Sequence, residues 1–154
     1  MLVRYSLPSL KKVSHLCYYS SQKEVCSIMS TKELYEKLVS DLKLLRMPIE
    51  EVDLFLRPYS SSYYGRYFPV HDEKRTTPRV FIYPFKENGD LYDYQDILDT
   101  TIHEMVHHIQ HSTPSFVRVK GVMHDPNFWK LYDRYINKAK QLNMIKENKL
   151  HGSA

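Results

Sequence analysis

The chain has 154 residues, of which 42% are hydrophobic and 26% are charged, and its formal net charge is +4. These values are typical of one soluble globular domain, and no stretch approaches the roughly 18 consecutive apolar residues that a membrane-spanning helix needs. The sequence therefore predicts no membrane association. The mild excess of positive charge is compatible with weak nucleic-acid contact but does not require it.

The first 28 residues differ in composition from the rest of the chain. They are rich in serine and carry four basic residues before the first acidic one, Glu24. Organelle-targeting segments have this basic, acid-poor character. A disordered tail, or an extension translated ahead of a start at Met29, is the alternative that we favour. We assign residues 29–146 to one domain and residues 147–154 to a flexible tail.

Both cysteines, Cys17 and Cys26, lie in this first segment. They form no C-x-x-C pair, so the sequence predicts neither a disulfide framework nor a cysteine-based zinc ribbon. Reduced thiols and a cytoplasmic location fit this pattern. Organelle targeting through residues 1–28 is the alternative.

The domain begins with a predicted helix. Ser30 followed by Glu33 has the spacing of a capping box, in which each residue's side chain accepts from the other's backbone N–H at a helix start. Leucines then recur at helical spacing, and Pro48 ends the pattern. These leucines are Leu34, Leu38, Leu42 and Leu45.

Three short segments rich in aromatic and β-branched residues follow, at 52–56, 63–68 and 79–83. Clusters of Ser, Pro and Thr bound them, so we interpret them as strands of one antiparallel sheet. Asn88-Gly89 then marks a turn.

Two more helices are predicted in the second half of the chain. One runs from about Tyr94 to Ser112 and is followed by Pro114, and the next begins with Asp125 as N-cap and Pro126 at the first helical position. Their apolar stripes comprise Ile97, Leu98, Ile102, Met105, Val106 and Ile109 in the first, and Phe128, Leu131, Tyr132, Tyr135, Ile136, Ala139 and Leu142 in the second. The predicted fold class is α+β, with a small antiparallel sheet packed on the first of these helices.

That helix carries the motif His103-Glu104-Met105-Val106-His107. Side chains at positions i and i+4 project from one face of a helix, so His103 and His107 can bind one cation together. The Glu104 carboxylate lies where it can reach a metal-bound water without coordinating the metal. This is the chemistry of the H-E-x-x-H motif. We therefore predict one Zn²⁺ ion, with Glu104 as general base.

A catalytic zinc site takes three protein ligands and leaves one position for water. A metzincin would need Gly at position 110 and His at 113, where this chain has Gln110 and Thr113. His124 is the best third ligand, because the start of the last helix would fix its position. Weaker alternatives are Asp125, Asp133 and Glu147.

The remaining histidines are not assigned as ligands. His108 and His111 share the motif helix but are expected to point elsewhere, with His111 at the surface or beside the ligands. His71 is expected in an exposed loop, and His15 and His151 lie near the chain ends.

Two stretches, 99–107 (DTTIHEMVH) and 124–129 (HDPNFW), resemble the SprT-like zinc metallopeptidases. In that family a later histidine, commonly followed by glycine, opens the next helix; here Asp125 stands at the glycine position. The resemblance covers about residues 30–143. It implies zinc held by His103, His107 and His124, Glu104 as catalytic acid and base, and a compact zincin-like domain. Several members add a zinc ribbon after this domain, for which this chain has no cysteines.

The predicted function is that of a zinc-dependent metallopeptidase acting on a protein or peptide substrate. Tyr64, Arg66 and Tyr132 are candidates for stabilising the oxyanion that forms during hydrolysis. Hydrolysis of another kind of amide at the same site is one alternative. A non-catalytic or DNA-associated zinc-binding protein is the other. Glu104 argues against it, because a structural zinc usually has four protein ligands and needs no general base.

Overall fold

The computed structural model describes residues 29–70 and 76–147. Within these residues the chain forms helices α1 (Thr31–Leu44), α2 (Tyr94–Ser112) and α3 (Pro126–Gln141), and strands β1 (Asp53–Leu56), β2 (Gly65–Phe68) and β3 (Arg79–Ile82). The predicted mixture of helices and a small sheet is confirmed. The predictions for residues 1–28, for His71 and for the tail beyond residue 147 fall outside the described residues.

The sheet has the strand order β1-β3-β2. β2 pairs with β3 in the antiparallel sense, but β1 pairs with β3 in the parallel sense, so the prediction of an antiparallel sheet is wrong for that pair. The chain reverses direction twice between β1 and β3, which returns β3 to the direction of β1. β3 takes the centre because its inward side chains, Val80 and Ile82, are the most deeply buried of the sheet.

The capping box predicted at the start of α1 is confirmed. The backbone N–H of Glu33 donates to Ser30 Oγ at 3.2 Å, and the backbone N–H of Ser30 donates to Glu33 Oε2 at 2.7 Å. All four predicted leucines are buried in the core. Each N–H that the cap satisfies would otherwise lack a partner, so this motif fixes where the helix begins.

α2 has the predicted bounds and packs against β2, β3 and α3. Its predicted apolar stripe is buried, apart from Ile109, which is half-buried. The helix therefore occupies the middle of the domain, with the sheet on one side and α3 on another. Pro114 follows its end, as predicted.

α3 begins as predicted, with Asp125 as N-cap and Pro126 in the first turn. Phe128, Ile136 and Ala139 of its predicted buried face lie in the core, and the tyrosines of that face are half-buried. The prediction that Leu142 belongs to this face is wrong. Leu142 is 47% exposed, because the helix ends at Gln141 and the chain has already left the helical direction.

Each helix in the described part of the chain is too short or too polar to cross a membrane.

Candidate metal centre

The two histidines of the motif lie one helical turn apart on α2, in the middle of the domain. His107 is buried, and His103 is half-buried, with their ring centroids 5.0 Å apart. The spacing of four residues stacks both rings on one face of the helix. The rigid, well-packed helix thus sets the relative position of two of the predicted ligands.

His124 reaches the same point from the residue before the N-cap of α3. Its Nε2 atom lies 3.0 Å from His103 Nε2 and 3.0 Å from His107 Nε2. The three ring nitrogens all lie within 4.8 Å of one another, close enough to hold a metal ion. The structure therefore brings together the three histidines that the sequence predicts as ligands.

The donor set fits a zinc ion. Zinc–imidazole bonds of about 2.0–2.1 Å in a tetrahedron place neighbouring nitrogens about 3.3 Å apart. The observed spacings of 3.0 Å are close to that value. A neutral imidazole has one N–H, so three converging Nε2 atoms cannot all satisfy one another by hydrogen bonding. One cation at their centre would satisfy all three lone pairs.

The two α2 histidines are held in the form that binds metals. Burial, together with the charges of neighbouring histidines, lowers the pKa of His103 to about 4 and that of His107 to about 3. Both rings are therefore neutral at pH 7 and keep a free lone pair. A metal ligand must be deprotonated, so this environment favours coordination.

Aromatic rings of α3 cover one side of the three histidines. The fully buried Phe128 lies 4.6 Å from the His107 ring and 4.9 Å from the His103 ring, measured between centroids. Trp129 packs against His124 at 5.6 Å. These residues follow directly from the start of α3, so the same helix that delivers His124 also excludes water from one side of the cluster.

Glu104 lies beside the histidines on α2 and is only 8% exposed. Burial raises the pKa of this carboxyl to about 7, while the backbone N–H of Tyr67 and the charge of Arg66 oppose that shift. A carboxyl group tuned close to neutral pH suits a general base that must later return its proton. This is the role that the sequence predicts for it.

Gly65, the first residue of β2, makes room for the Glu104 side chain. A Cβ atom placed at Gly65 would lie 2.8 Å from Glu104 Cγ and 2.8 Å from Thr100 Cγ2. Real Cβ atoms do not approach that closely, so the strand can only lie against the helix here because residue 65 has no side chain. Sequence reasoning missed this role, although an isolated glycine in a strand signals a close backbone approach.

His108 joins three elements on the far side of α2. Its Nε2 lies 2.8 Å from Glu51 Oε2, and its Nδ1 lies 3.3 Å from the hydroxyl of Tyr67. The ring is 2% exposed, so it points away from the metal cluster as predicted. Tyr67 belongs to β2, and the contact therefore ties that strand to α2 two residues from Gly65. The partners Glu51 and Tyr67 could not be identified from the sequence.

The weaker ligand candidates do not join the cluster. Asp125 is buried as the N-cap of α3, Asp133 is exposed on that helix, and Glu147 lies beyond its end. His111 is exposed and contacts Arg118.

The three candidates for stabilising an oxyanion differ in their surroundings. Tyr64 is 64% exposed at the start of β2. Arg66 lies over the rings of Tyr63 and Phe68. The hydroxyl of Tyr132 donates to Asp99, and its ring packs 5.8 Å from that of His103.

A cleft of about 570 Å³ opens beside His103 and Glu104. Its walls come from the start of β2, the end of β3 and the first turns of α2. Clefts of this size can enclose a small ligand or part of a peptide.

Comparisons with family models, with curated proteins and with solved structures found no match for this chain.

Proposed function

We propose that this protein is a zinc-dependent metallopeptidase of the SprT-like type. The observation that carries the proposal is the convergence of three histidines, with His124 Nε2 at 3.0 Å from the Nε2 atoms of both His103 and His107. The buried Glu104 and an open cleft lie beside them. Three ligands leave a coordination position for water, which distinguishes a catalytic zinc site from a structural one.

In this proposal each residue of the site has a separate role in peptide hydrolysis. A zinc ion held by His103, His107 and His124 would supply Lewis acidity and would lower the pKa of a water bound to it toward about 7. Glu104 accepts a proton from the attacking water as the new C–O bond forms. The same carboxyl then gives that proton to the leaving amine as the C–N bond breaks. His103, His107 and His124 orient the reacting centre, and Phe128 and Trp129 limit access of bulk water.

The test combines metal analysis with peptide cleavage. Wild-type protein is expected to bind one zinc ion per chain and to cleave an unstructured protein such as casein, with loss of cleavage on chelation and recovery on adding zinc. Glu104→Gln is expected to keep the zinc and lose cleavage by a factor of at least about 100, the lower range for a general base. His124→Ala is expected to lose zinc and cleavage together.

His111→Ala is the matched control, because it removes a histidine from the same helix outside the cluster. It is expected to keep both zinc and activity. Full activity in Glu104→Gln, or wild-type zinc content in His124→Ala, would contradict the proposed roles. If the protein binds zinc and cleaves no peptide but hydrolyses another amide, the same zinc chemistry acts on a different substrate class.

A second candidate function, contact with nucleic acid, is favoured by the sheet face that points away from α2. Three arginines there lie over phenylalanine rings, with guanidinium-to-centroid distances of 4.7 Å for Arg57 on Phe81 and 4.6 Å for Arg66 on Phe68. Arg79 lies 5.3 Å from the Phe81 ring. Arginine and aromatic rings on one surface suit the phosphates and bases of a single strand.

The nucleic-acid candidate is tested with a fluorescent single-stranded oligonucleotide at low salt. The double variant Arg57→Gln with Arg66→Gln is expected to weaken binding by about 10-fold or more, with a shallower salt dependence. Lys32→Gln with Lys43→Gln removes the same charge from α1 and is the control. No binding at low salt would rule this candidate out.

A further inference from the structure

The cleft beside His103 and Glu104 has an unusual set of walls. Tyrosines line much of it, together with the apolar residues Ile82, Pro84 and Ile97. The tyrosines are Tyr63, Tyr64, Tyr83 and Tyr92. The rings of Tyr64 and Tyr92 meet edge to face, with centroids 5.4 Å apart. Such a wall can pack along the length of an extended aliphatic chain.

The charges in the cleft are opposite in sign to the chain as a whole. The chain carries a net charge of +4, yet Asp96, Asp99 and Glu104 line the cleft and no Lys or Arg does so among the described residues. Asp96 and Asp99 lie one helical turn apart on α2, so both reach the same wall. No lysine or arginine of the described ranges forms an ion pair with either of them.

Asp99 is held in a fixed position by its neighbour on α3. The hydroxyl of Tyr132 donates to Asp99 Oδ1, and the aspartate is half-buried. Burial is also the main cause that raises the pKa of Asp99. The charge of Lys140 opposes that rise as the smallest of the causes, but no ion pair joins it to Asp99 within the described residues. A partly desolvated carboxylate without an ion-pair partner gains from a ligand that brings a positive charge.

We propose that this cleft binds a lysine or arginine side chain of the substrate, next to the bond that is cut. The inference rests on the proposed peptidase function and names its specificity. The ammonium or guanidinium group meets Asp96 and Asp99, and the aliphatic stem lies along the Tyr64 and Tyr92 rings. An acidic side chain is repelled by the same carboxylates. An uncharged aliphatic side chain would remove water from the two carboxylates and offer no hydrogen bond or charge in its place, so it should bind less tightly.

The first test compares peptides that differ at one position adjacent to the cleaved bond. Lysine and norleucine have stems of the same length and differ in the terminal ammonium group. Wild-type enzyme is expected to cleave the lysine peptide with a kcat/KM at least about 10-fold higher than the norleucine peptide, the range for a hydrogen bond to a charged group. The glutamate peptide is expected to be the poorest of the three.

Variants of Asp96 test whether this residue supplies the preference. Asp96→Asn is expected to reduce the lysine-to-norleucine ratio of kcat/KM by about 5-fold or more, and Asp96→Lys is expected to favour the glutamate peptide over the lysine peptide. Asp93→Asn is the control. Asp93 lies one turn earlier, is exposed and is not part of the cleft, so this variant should keep the wild-type ratio.

A binding measurement separates failure of the pocket from failure of the peptidase. Zinc-loaded Glu104→Gln is titrated calorimetrically with the same peptides, and the lysine peptide is expected to bind about 10-fold more tightly than the norleucine peptide. Equal cleavage of all three peptides, unchanged by Asp96→Lys, would overturn the pocket and leave the peptidase standing. If the Glu104→Gln variant discriminates among the peptides in binding but the wild type cleaves none of them, the pocket is supported and the peptidase function is overturned. Neither cleavage nor discrimination would overturn both.

Discussion

At the scale of single residues, Gly65 allows β2 to lie directly against the Glu104 side chain. In Gly65→Ala the added Cβ would meet Glu104 Cγ and Thr100 Cγ2 at 2.8 Å. Both atoms belong to a buried, well-packed helix, so Glu104 must move or the strand must lift. We expect peptide cleavage to fall by at least about 10-fold, with a loss of unfolding free energy of about 1–3 kcal/mol.

The zinc content of Gly65→Ala is expected to stay at the wild-type level, because the atoms nearest to the added methyl group belong to Glu104 and Thr100 and not to a histidine. Gly89→Ala serves as a control. Gly89 has a φ of +89° in the predicted turn and nothing lies within 4 Å of an added Cβ, so strain there affects stability alone. Wild-type activity in Gly65→Ala would show that Glu104 tolerates displacement.

Gln110 presents a different case, because the nitrogen and the oxygen of its side-chain amide are both buried and neither has a partner within hydrogen-bonding geometry among the described residues. It lies three residues after His107 on α2, a neighbouring position on the helix surface. Its side chain also opposes the lowering of the His107 pKa. A metal-bound imidazole needs an acceptor for its second N–H, and the Gln110 carbonyl is placed to provide one.

Gln110→Leu is therefore expected to weaken zinc binding by about 10-fold or more, measured by competition with a chromophoric chelator. The zinc-free variant should unfold at the same or a higher urea concentration than the wild type, because an unsatisfied buried amide is removed. Gln110→Glu keeps an acceptor and should bind zinc better than the leucine variant. Reduced stability with unchanged zinc affinity would assign Gln110 to packing only.

At the scale of elements, the helices could be predicted because their signals are local. Ser30 and Glu33 lie within one turn of each other, and the periodic leucines that follow do not depend on any distant residue. Strand pairing is different. Which strand takes the centre of the sheet, and in which direction each neighbour runs, depends on packing against α2. The segments at 52–56 and 63–68 carry no sequence signal for either choice. The parallel pair of β1 with β3 was missed for this reason.

The same difference between local and long-range signals decides which parts of the site could be predicted from the sequence. His103, Glu104 and His107 share one helix, and His124 comes just before a capped one, so their spacing predicted the cluster. The cleft and its tyrosines come from three elements that meet only after folding. The contacts of His108 with Glu51 and Tyr67 span 57 and 41 residues, respectively. No pattern in the sequence predicts separations of that size.

The start of α3 places a helix cap next to His124, the proposed third ligand. Asp125 accepts from the backbone N–H of Phe128 at 2.8 Å and from that of Val119 at 2.8 Å, so it fixes both the helix and the loop before it. His124 is the adjacent residue. Asp125→Ala is expected to weaken zinc binding by about 10-fold, although the aspartate is not a ligand, because His124 loses its fixed position.

Asp125→Asn separates capping from charge. Asparagine keeps an acceptor for Phe128 and is a good N-cap, so this variant should retain most of the zinc affinity that the alanine variant loses. The control Asp133→Ala removes an exposed aspartate from the same helix. If Asp125→Ala binds zinc as tightly as the wild type, the cap does not position His124.

At the scale of the whole molecule, the cluster of three histidines joins α2, in the middle of the domain, to the start of α3. Anything that binds the folded chain and not the unfolded chain raises its stability, so zinc should stabilise the domain. Without metal, folding keeps two histidines in the neutral form, because the pKa of His103 is lowered to about 4 and that of His107 to about 3. The stability of the domain therefore depends jointly on metal and pH.

The direction of the pH effect follows from these shifts. In the unfolded chain, His103 and His107 take up protons below about pH 6.5. In the folded metal-free chain the same two residues take up protons only near pH 4 and pH 3. The two histidines therefore stabilise the fold above about pH 6.5, and this contribution is lost as the pH falls toward 4. Glu104 acts in the opposite sense, because its pKa is raised to about 7 and the folded chain takes up its proton first.

Urea unfolding of the metal-free chain at pH 7.5, 6.0 and 5.0 tests this balance. The unfolding free energy is expected to decrease with falling pH, and to decrease more steeply in Glu104→Gln, where the opposing carboxyl is gone. Zinc should raise the unfolding free energy at pH 7.5 and have progressively less effect at pH 6.0 and 5.0, because protons compete for the same nitrogens. A zinc effect independent of pH would mean that histidines are not its ligands, since coordination by imidazole cannot escape that competition.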